Sequence, residues 1–269
     1  MPIYDHPYHI KIEDNAILWR YMSFEKYKSL LADKALFFCR ADKFADPYEC
    51  SIPQKEFDYR ISEAKFAKEE AGFGRFDSKF DVGLAKKKAE GVAFTHKKVR
   101  TATTVNCWHI NNNESDAMWQ LYLKDNEGVA VKTSKEKLFV AIQGAKEDIS
   151  VSKVRYINYE SDIWYNPQDF PIDGYNFLTP LIHKRVEFAH EKELRLYHHD
   201  SNREKEGYWE SQSNQIGELI NIDINTLIDS VVFHPTSDKT TKDKIIALTR
   251  AYAYDFKFEL SRLSTEPLY

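Results

Sequence analysis

The sequence predicts an α+β fold, mixed in α/β character: a single domain over residues 1–269 with a twisted mixed or split β-sheet flanked by helices. Stretches that alternate apolar and polar residues, as strands do, recur between stretches whose apolar residues have helical spacing. Aromatic residues make up 14% of the 269 residues, while Gly and Pro number nine each. This composition is typical of an ordered, packed core, and the length is enough for one large domain.

The chain opens with a strand–helix–strand unit. Residues 17–21 and 35–39 predict the two strands. Ser23 is a good N-cap for the helix between them, because its hydroxyl can accept a hydrogen bond from a free amide of the first turn. The apolar residues of that helix recur at helical spacing: Phe24, Tyr27, Leu30 and Leu31.

A charged segment then interrupts the sheet elements. Residues 54–100 are rich in Glu, Lys and Ala, and Gly72 and Gly74 separate two helical pieces. Lysine runs of this kind usually form solvated helix faces, although a contact with nucleic acid is an alternative. We expect a helical insertion on the surface of the main fold.

The central part returns to alternating strands and short helices. Residues 103–110, 129–133 and 149–159 predict strands. Asp116 is expected to cap a short helix, and Ser134 to cap a helix over residues 135–142.

The last third continues the same alternation. Its predicted elements are a loop at 160–176, a short helix at 178–182, the strand within 190–197 and a hairpin or loop at 200–215. They continue with strands at 216–222, 230–235 and 256–260, and helices at 224–228 and 239–253, the last capped by Thr236 or Ser237.

Charge and cysteine content limit the function classes. The formal net charge of −4 gives the whole molecule no general attraction for nucleic acid. Cys39, Cys50 and Cys107 are scattered and odd in number, so we expect no disulfide framework and a reducing cytoplasmic location. No evident secretory signal and no run of about 18 apolar residues, the length that spans a membrane, is found in the sequence, so we expect no membrane partner.

The segment at residues 190–197 is the strongest candidate for chemistry. Its Glu-x-Glu-x-Arg alternation is expected to place Glu191, Glu193 and Arg195 on one face of a strand, with Leu194 and Leu196 in the core. A rigid strand is a good support for a catalytic carboxylate, and Glu193, followed by Glu191, is the candidate. The alternative is an ion-pair ladder on a solvated strand face.

A second set of residues suits an aromatic ligand that carries phosphates. Aromatic rings stack on bases, and the guanidinium of arginine binds phosphate through paired hydrogen bonds. Two of the candidate ligand-binding residues also have a structural explanation: Asp46 could form an Asx-type turn, and Trp119 could pack in the core. The candidate ligand-binding residues are Arg20, Tyr21, Asp46, Tyr48, Glu49, Trp108, Trp119, Tyr122, Arg185 and Arg195.

Common catalytic and nucleotide-binding motifs are absent. The chain has no G-x-G-x-x-G, Walker, H-E-x-x-H or G-x-S-x-G motif. Its histidines and cysteines lack the spacing of a structural zinc site, so no metal is expected. A metal nuclease built from Asp46, Glu191 and Glu193 with Lys184 or Lys192 is conceivable, but the E-x-K spacing is missing.

The order of motifs resembles a bacterial and phage family known as a domain of unknown function (family twenty-nine seventy-one). The shared motifs cover most of the chain apart from residues 54–100. They are L-W-R-Y before the first helix, A-L-F-F, F-A-D-P-Y-E, C-W-H, A-M-W-Q-L-Y with E-G-V-A-V, H-E-K-E-L-R-L and V-V-F-H-P.

A more distant similarity is to the ADP-ribosyltransferase superfamily. It implies that NAD is a substrate, that Arg20 or Tyr21 contacts it, and that Glu193 orients the nicotinamide ribose and stabilises the developing cation. The chain departs from that pattern, because the usual first-position His is lacking and Cys107-Trp108-His109 replaces a Ser-x-Ser strand.

The residue patterns and these resemblances together leave three functions open. The first is an ADP-ribosyltransferase-like enzyme that acts on NAD or a related nucleotide in phage–host conflict, with a protein or nucleic acid as acceptor. The second is a non-catalytic module that binds a ligand or a protein. The third is the metal-dependent nuclease.

Overall fold

Twelve strands are described in the computed structural model, which covers residues 3–4, 9–70, 78–163, 178–204 and 215–268. They are β1 (Ile3–Tyr4), β2 (Ile17–Ser23), β3 (Ala35–Arg40), β4 (Thr103–Ile110), β5 (Gly128–Ser134), β6 (Ile149–Lys153), β7 (Arg155–Ile157), β8 (His183–Arg185), β9 (Glu193–His199), β10 (Gly217–Asn221), β11 (Ser230–Phe233) and β12 (Lys257–Glu259). Ten of them form one mixed sheet, and β7 and β8 form a separate parallel pair.

Seven α-helices accompany these strands in the described ranges. They are α1 (Phe24–Asp33), α2 (Gln54–Glu70), α3 (Ser78–Ala102), α4 (Asp116–Tyr122), α5 (Lys135–Ala141), α6 (Ile224–Leu227) and α7 (Lys239–Ala251). Short 3₁₀ turns occur at Ala41–Lys43, Thr179–Ile182, Val186–Glu191, Ser201–Glu204 and Arg262–Ser264. The mixture of a mainly antiparallel sheet with separate helices confirms the predicted α+β class.

The main sheet is split beside its central strand. Its path runs β1-β6-β9-β4-β2-β5-β11-β12, and β3, which carries β10, also pairs with β4. Strands β2 and β3 therefore share one edge of β4: β2 pairs with its last residues, His109 and Ile110, and β3 with Thr104 and Val105 near its start. The other edge of β4 pairs with β9 in an antiparallel ladder.

One face of this sheet carries the main apolar core. Leu18 of β2, Trp108 of β4 and Leu194 of β9 are fully or almost fully buried in it, together with Leu31 of α1 and Ile245 of α7. Their alternation along each strand explains why neighbouring residues point to the opposite face. Burial of each such aliphatic side chain stabilises the fold by about 1.5–3 kcal/mol.

Two of the predicted helix caps are present and two are wrong. Ser23 and Ser134 accept hydrogen bonds from the first turns of α1 and α5. Helix α7 is capped by Asp238, whose carboxylate accepts from the amide of Thr241 at 2.7 Å, and not by Thr236 or Ser237. Helix α4 begins at Asp116 itself, so Asp116 is its first residue and not its cap. Asp238 is one residue closer to α7 than Ser237, so its carboxylate can reach the free amides of the first turn.

The strand predicted at 149–159 is broken at Val154. Its first half, β6, pairs with β9, and the amide of Val154 then donates to the carbonyl of Glu193 at 2.9 Å. Because β9 begins at Glu193, no further ladder is available there, and β7 leaves the sheet to pair with β8.

Helices α2 and α3 occupy the predicted helical segment and pack against each other. Gly72 and Gly74 lie outside the described residues, as do residues 164–177 and 205–214 within two predicted loops. Among the helices that the structure describes, none has the length and apolar character needed to cross a membrane.

Candidate functional site

A cavity of about 590 Å³ lies at the split between β2 and β3. Neither strand pairs with residues 106–108 of β4, and side chains bridge the gap instead. The amide nitrogen of Asn106 donates to the carbonyl of Phe37 at 2.8 Å, and Nη1 of Arg20 donates to the carbonyl of Cys107 at 2.8 Å. The cavity therefore reaches residues that point to both faces of the sheet.

Apolar and aromatic side chains form most of the cavity wall, and charged groups lie in it as well. Arg20 and the exposed Lys26 of α1 supply positive charge. Glu191 and Glu193 supply carboxyl groups from the β9 side. The aromatic lining residues are Trp19, Tyr21, Phe37, Phe44, Trp108, His109 and Tyr122.

Behind the acidic wall lies a group of five buried ionisable residues, here called the ion cluster: Glu49, Lys184, Glu191, Glu193 and Arg195. The ammonium of Lys184 lies 2.9 Å from Glu191 Oε2, 2.9 Å from Glu193 Oε1 and 3.3 Å from Glu49 Oε1. Nε of Arg195 donates to Glu193 Oε2 at 2.8 Å, and Nη2 donates to Glu49. Each of the five side chains is at most 6% exposed.

The predicted position of Glu191 on the strand is wrong. Glu191 ends the 3₁₀ turn Val186–Glu191, and Lys192 follows in the left-handed conformation with φ of 42°. This conformation is unfavourable for a residue with a Cβ, and it reverses the chain so that β9 starts only at Glu193. Glu191 and Glu193 meet because both bind Lys184, and not because they alternate along one strand.

The rest of the predicted alternation is confirmed. Leu194 and Leu196 lie in the main core, while Glu193 and Arg195 point to the opposite face and form an ion pair. The solvated strand face offered as an alternative is wrong, because these two side chains are 5% and 1% exposed. Of the two covering residues, Lys184 lies nine residues before Glu193, whereas Glu49 comes from a distant part of the sequence.

The two glutamates at the cavity differ in their pKa values and so in their protonation state. Burial, followed by the hydrogen bond and negative charge of Glu193, raises the pKa of Glu191 to about 8. Burial also acts to raise the pKa of Glu193, but Arg195, the Glu191 hydrogen bond and Lys184 outweigh it and hold the pKa well below its usual range. With three acids and two bases in the cluster, a proton on Glu191 leaves no net formal charge to bury. The pair is thus a carboxylic acid beside a carboxylate at neutral pH.

Four of the predicted ligand-binding residues line the cavity: Arg20, Tyr21, Trp108 and Tyr122. The guanidinium of Arg20 also lies 5.8 Å from the centre of the Trp108 ring. The hydroxyl of Tyr21 is bound by the amide of Ser115, and its ring packs edge-on against Trp119.

Six further predicted residues do not line the cavity within the described ranges. Glu49 and Arg195 belong to the ion cluster. Trp119 is 1% exposed in an apolar cluster with Tyr21 and donates from Nε1 to Glu114, in agreement with the core-packing alternative. The remaining three, Asp46, Tyr48 and Arg185, form a separate group that is described next.

Arg185 forms the centre of this separate group. It is paired with Asp46 at 3.0 Å, and its guanidinium lies 4.7 Å from the Tyr48 ring and 5.3 Å from the Phe188 ring. Oδ1 of Asp46 also accepts from the amide of Tyr48, which is the predicted Asx-type turn. These contacts give Asp46 a structural role in its loop.

Sequence reasoning missed two important residues. Lys184 was considered only as part of a nuclease, yet its ammonium holds the two cavity acids together. His109 was noted within the Cys107-Trp108-His109 segment but was given no role, and it lines the cavity. The pairing of β4 with β9 places His109 beside Glu193 on the same face of the sheet. Because strand pairing is decided by the tertiary structure, no local pattern pointed to His109.

Within the described residues, no group of three or more His, Cys, Asp or Glu side chains is arranged to hold a metal ion. The three glutamates that do converge surround the ammonium of Lys184. Comparisons of the chain with protein-family models, with curated proteins and with solved structures find no match.

Proposed function

We propose that the protein is an ADP-ribosyltransferase-like enzyme that binds NAD or a related nucleotide in the cavity and cleaves the bond between nicotinamide and ribose. One observation carries the proposal: Arg20, several aromatic rings and the Glu191–Glu193 pair line the same cavity. A volume of about 590 Å³ is in the usual range for small-molecule and cofactor sites.

The aromatic wall and Arg20 suit the two ends of a nucleotide. The ring of Tyr122, which is 39% exposed, offers a surface on which a base or a pyridine ring can stack. Among the described residues, Arg20 makes one hydrogen bond, from Nη1 to a backbone carbonyl. Its other N–H groups therefore remain for a phosphate, which guanidinium binds through paired hydrogen bonds.

The acid pair suits the charge that develops during cleavage. When the carbon–nitrogen bond breaks, the nitrogen keeps the electron pair, neutral nicotinamide leaves, and the ribose carbon becomes cationic. The Glu193 carboxylate stabilises this cation electrostatically. Lys184 and the protonated Glu191 hold Glu193 in place. An acceptor oxygen or nitrogen from a protein, a nucleic acid or water then bonds to the carbon and gives its proton to solvent.

Release of nicotinamide from NAD tests the proposal. Wild-type protein is incubated with NAD and with protein, nucleic acid or water as acceptor, and Glu193→Gln is expected to lower release about 10²–10³-fold, as loss of one charge-stabilising group does. Glu49→Gln is the matched variant, because it removes a carboxylate from the ion cluster away from the cavity wall. Its smaller loss measures the effect of destabilisation, and thermal unfolding of both variants corrects for the folded fraction.

Two results would contradict the proposed enzymatic function. One is that wild-type protein releases no nicotinamide with any acceptor, and the other is that Glu193→Gln releases nicotinamide as fast as wild type.

A non-catalytic binding module is the second candidate. It is favoured by the contacts of Glu193, since both of its carboxylate oxygens are already bound, one by Lys184 and one by Arg195. In that case NAD binds and is recovered unchanged, and Glu193→Gln has little effect on its affinity. A metal nuclease is less well supported, because Lys184 occupies the space between the carboxylates where a cation would bind.

A further inference from the structure

His109 lines the cavity, and one of its two ring nitrogens has no hydrogen-bond partner in the described part of the chain. Its side chain is 3% exposed, and its ring lies edge-on to Tyr21 with 6.3 Å between the ring centres. Nδ1 lies 2.6 Å from the carbonyl oxygen of Glu191. Nε2, at the other side of the ring, is buried and has no hydrogen-bond partner among the residues that the structure describes.

The carbonyl of Glu191 decides which ring nitrogen carries the proton. A carbonyl oxygen only accepts hydrogen bonds, so Nδ1 must be the donor. Burial, the largest influence, lowers the pKa of His109 and favours the neutral ring. A neutral imidazole protonated at Nδ1 has a lone pair on Nε2, which is therefore a hydrogen-bond acceptor.

A buried acceptor without a partner is uncommon in folded proteins and calls for an explanation such as a ligand. We propose that His109 is a ligand-binding residue whose Nε2 accepts a hydrogen bond from an N–H or O–H group of the molecule that occupies the cavity. The adjacent Trp108 strengthens this assignment, because its Nε1 is a buried donor that also lacks a partner in the described chain and its side chain lines the same cavity.

This role of His109 limits which groups of the ligand can face it. The choice of NAD as the probe rests on the proposed function. The group that faces His109 must donate a hydrogen bond, as an amide N–H or a sugar hydroxyl does and as a phosphate oxygen does not. In NAD these donors are the carboxamide of nicotinamide and the ribose hydroxyls. Nicotinamide and ribose 5-phosphate, used as separate probes, distinguish the two sources.

Two substitutions separate a ligand contact from a structural role. In His109→Asn the side-chain amide takes the place of Nδ1 and can still donate to the Glu191 carbonyl, while the acceptor at Nε2 is lost. In His109→Gln the amide reaches the place of Nε2, and the bond from Nδ1 is lost. A purely structural His109 would make the Gln variant the more damaging one, whereas a ligand-binding His109 makes the Asn variant the weaker binder.

The experiment combines nitrogen NMR of the imidazole with NAD titrations followed by tryptophan fluorescence. In the wild-type protein at pH 7 we expect a proton on Nδ1 and none on Nε2, and NAD is expected to shift the Nε2 resonance, which is assigned by its absence from His109→Gln. His109→Asn is expected to unfold near the wild-type temperature and to bind NAD roughly tenfold to a hundredfold more weakly, as loss of one buried hydrogen bond implies. His109→Gln should bind more tightly than His109→Asn.

Three results overturn the proposal: a protonated Nε2 in the free protein, equal NAD affinity of wild type and His109→Asn, or no shift of the His109 resonance with NAD, nicotinamide or ribose 5-phosphate. Results that contradict the proposed catalytic function differ from these three. NAD that shifts the Nε2 resonance but is not cleaved contradicts the catalytic function alone, and Glu193-dependent cleavage with unchanged affinity in His109→Asn contradicts the His109 contact alone.

Discussion

The two faces of β9 are equally buried but differ completely in chemistry. On one face, Leu194 and Leu196 are 0% exposed within the main apolar core. On the other, Glu193 and Arg195 are 5% and 1% exposed within the ion cluster. The apolar face stabilises the fold in proportion to the area that it removes from water. Burial of the charged face costs free energy because its charges lose their hydration, and the ion pairs only offset that cost.

This difference indicates what each face is for. Apolar side chains of similar volume would often stabilise such a position as well as a buried ion pair does, or better. The ion cluster is therefore weak evidence of stability, and its place at the cavity wall suggests that the charges serve binding or catalysis. The comparison between the faces can be tested with substitutions on each of them.

Lys184→Met is expected to have the largest effect on stability. It leaves three buried carboxyl groups with Arg195 as their one remaining cation in the ion cluster, and removal of one partner from a buried ion pair costs about 3–5 kcal/mol. Chemical denaturation at pH 7 measures the loss, and Lys184→Arg, which keeps the charge, is the control. The loss should shrink at pH 4–5, roughly the range of free carboxyl pKa values, because protonation removes the unpaired charge. A loss that does not depend on pH would contradict the electrostatic account.

Leu194→Ala tests the opposite face of the same strand. Removal of a fully buried leucine side chain is expected to cost about 2–5 kcal/mol through lost burial and the cavity left behind. The cost should be the same at pH 5 and pH 8, because no titratable group is changed, and Leu194→Met should lose less. A marked pH dependence of this variant would show that the two faces are coupled through the strand.

Glu191→Gln is expected to have the smallest effect at pH 5, where Glu191 is protonated and the glutamine resembles it, and that effect should depend on pH. The folded-state pKa of Glu191 is raised to about 8, above its unfolded value. Its contribution to stability is thus fully present below the unfolded pKa and is lost as pH rises through the folded pKa. Relative to wild type, the Gln variant should therefore gain stability between about pH 5 and pH 8, by up to about 1.4 kcal/mol per pH unit.

Denaturation curves of both proteins across this pH range provide the measurement. Glu193→Gln is the comparison variant with the opposite sign at lower pH, because the lowered pKa of Glu193 gives stability that is present above its unfolded pKa and is lost only as pH falls below that value, outside the range used for Glu191. A difference between wild type and Glu191→Gln that stays constant over this range would contradict the assignment of the proton to Glu191.

Much of the fold could be predicted from local patterns. The spacing of Tyr27, Leu30 and Leu31 predicted α1 and its buried face, which the structure confirms. The alternation in β9 predicted that Leu194 would point to the core and that Glu193 and Arg195 would share the other face. These features follow from the periods of helices and strands, which need no knowledge of the rest of the chain.

Local patterns were less successful where a competing local contact decided the outcome. The left-handed Lys192 ended the strand pattern one residue before Glu193 and so removed Glu191 from it. Asp238 lay nearer the first free amides of α7 than the two residues predicted as its cap.

The sequence by itself determined the α+β class, most of the helices and strands, and the side-chain pattern of β9. Only the tertiary structure decided that β2 and β3 share one edge of β4, which opens the cavity between Arg20 and Glu193. It also decided that Lys184 and Glu49 cover the charged face of β9, and that Asp46 and Arg185 bind each other away from the cavity. Periodicity depends on neighbours along the chain, whereas strand pairing and the meeting of distant charges depend on how separate elements pack, which local sequence does not encode.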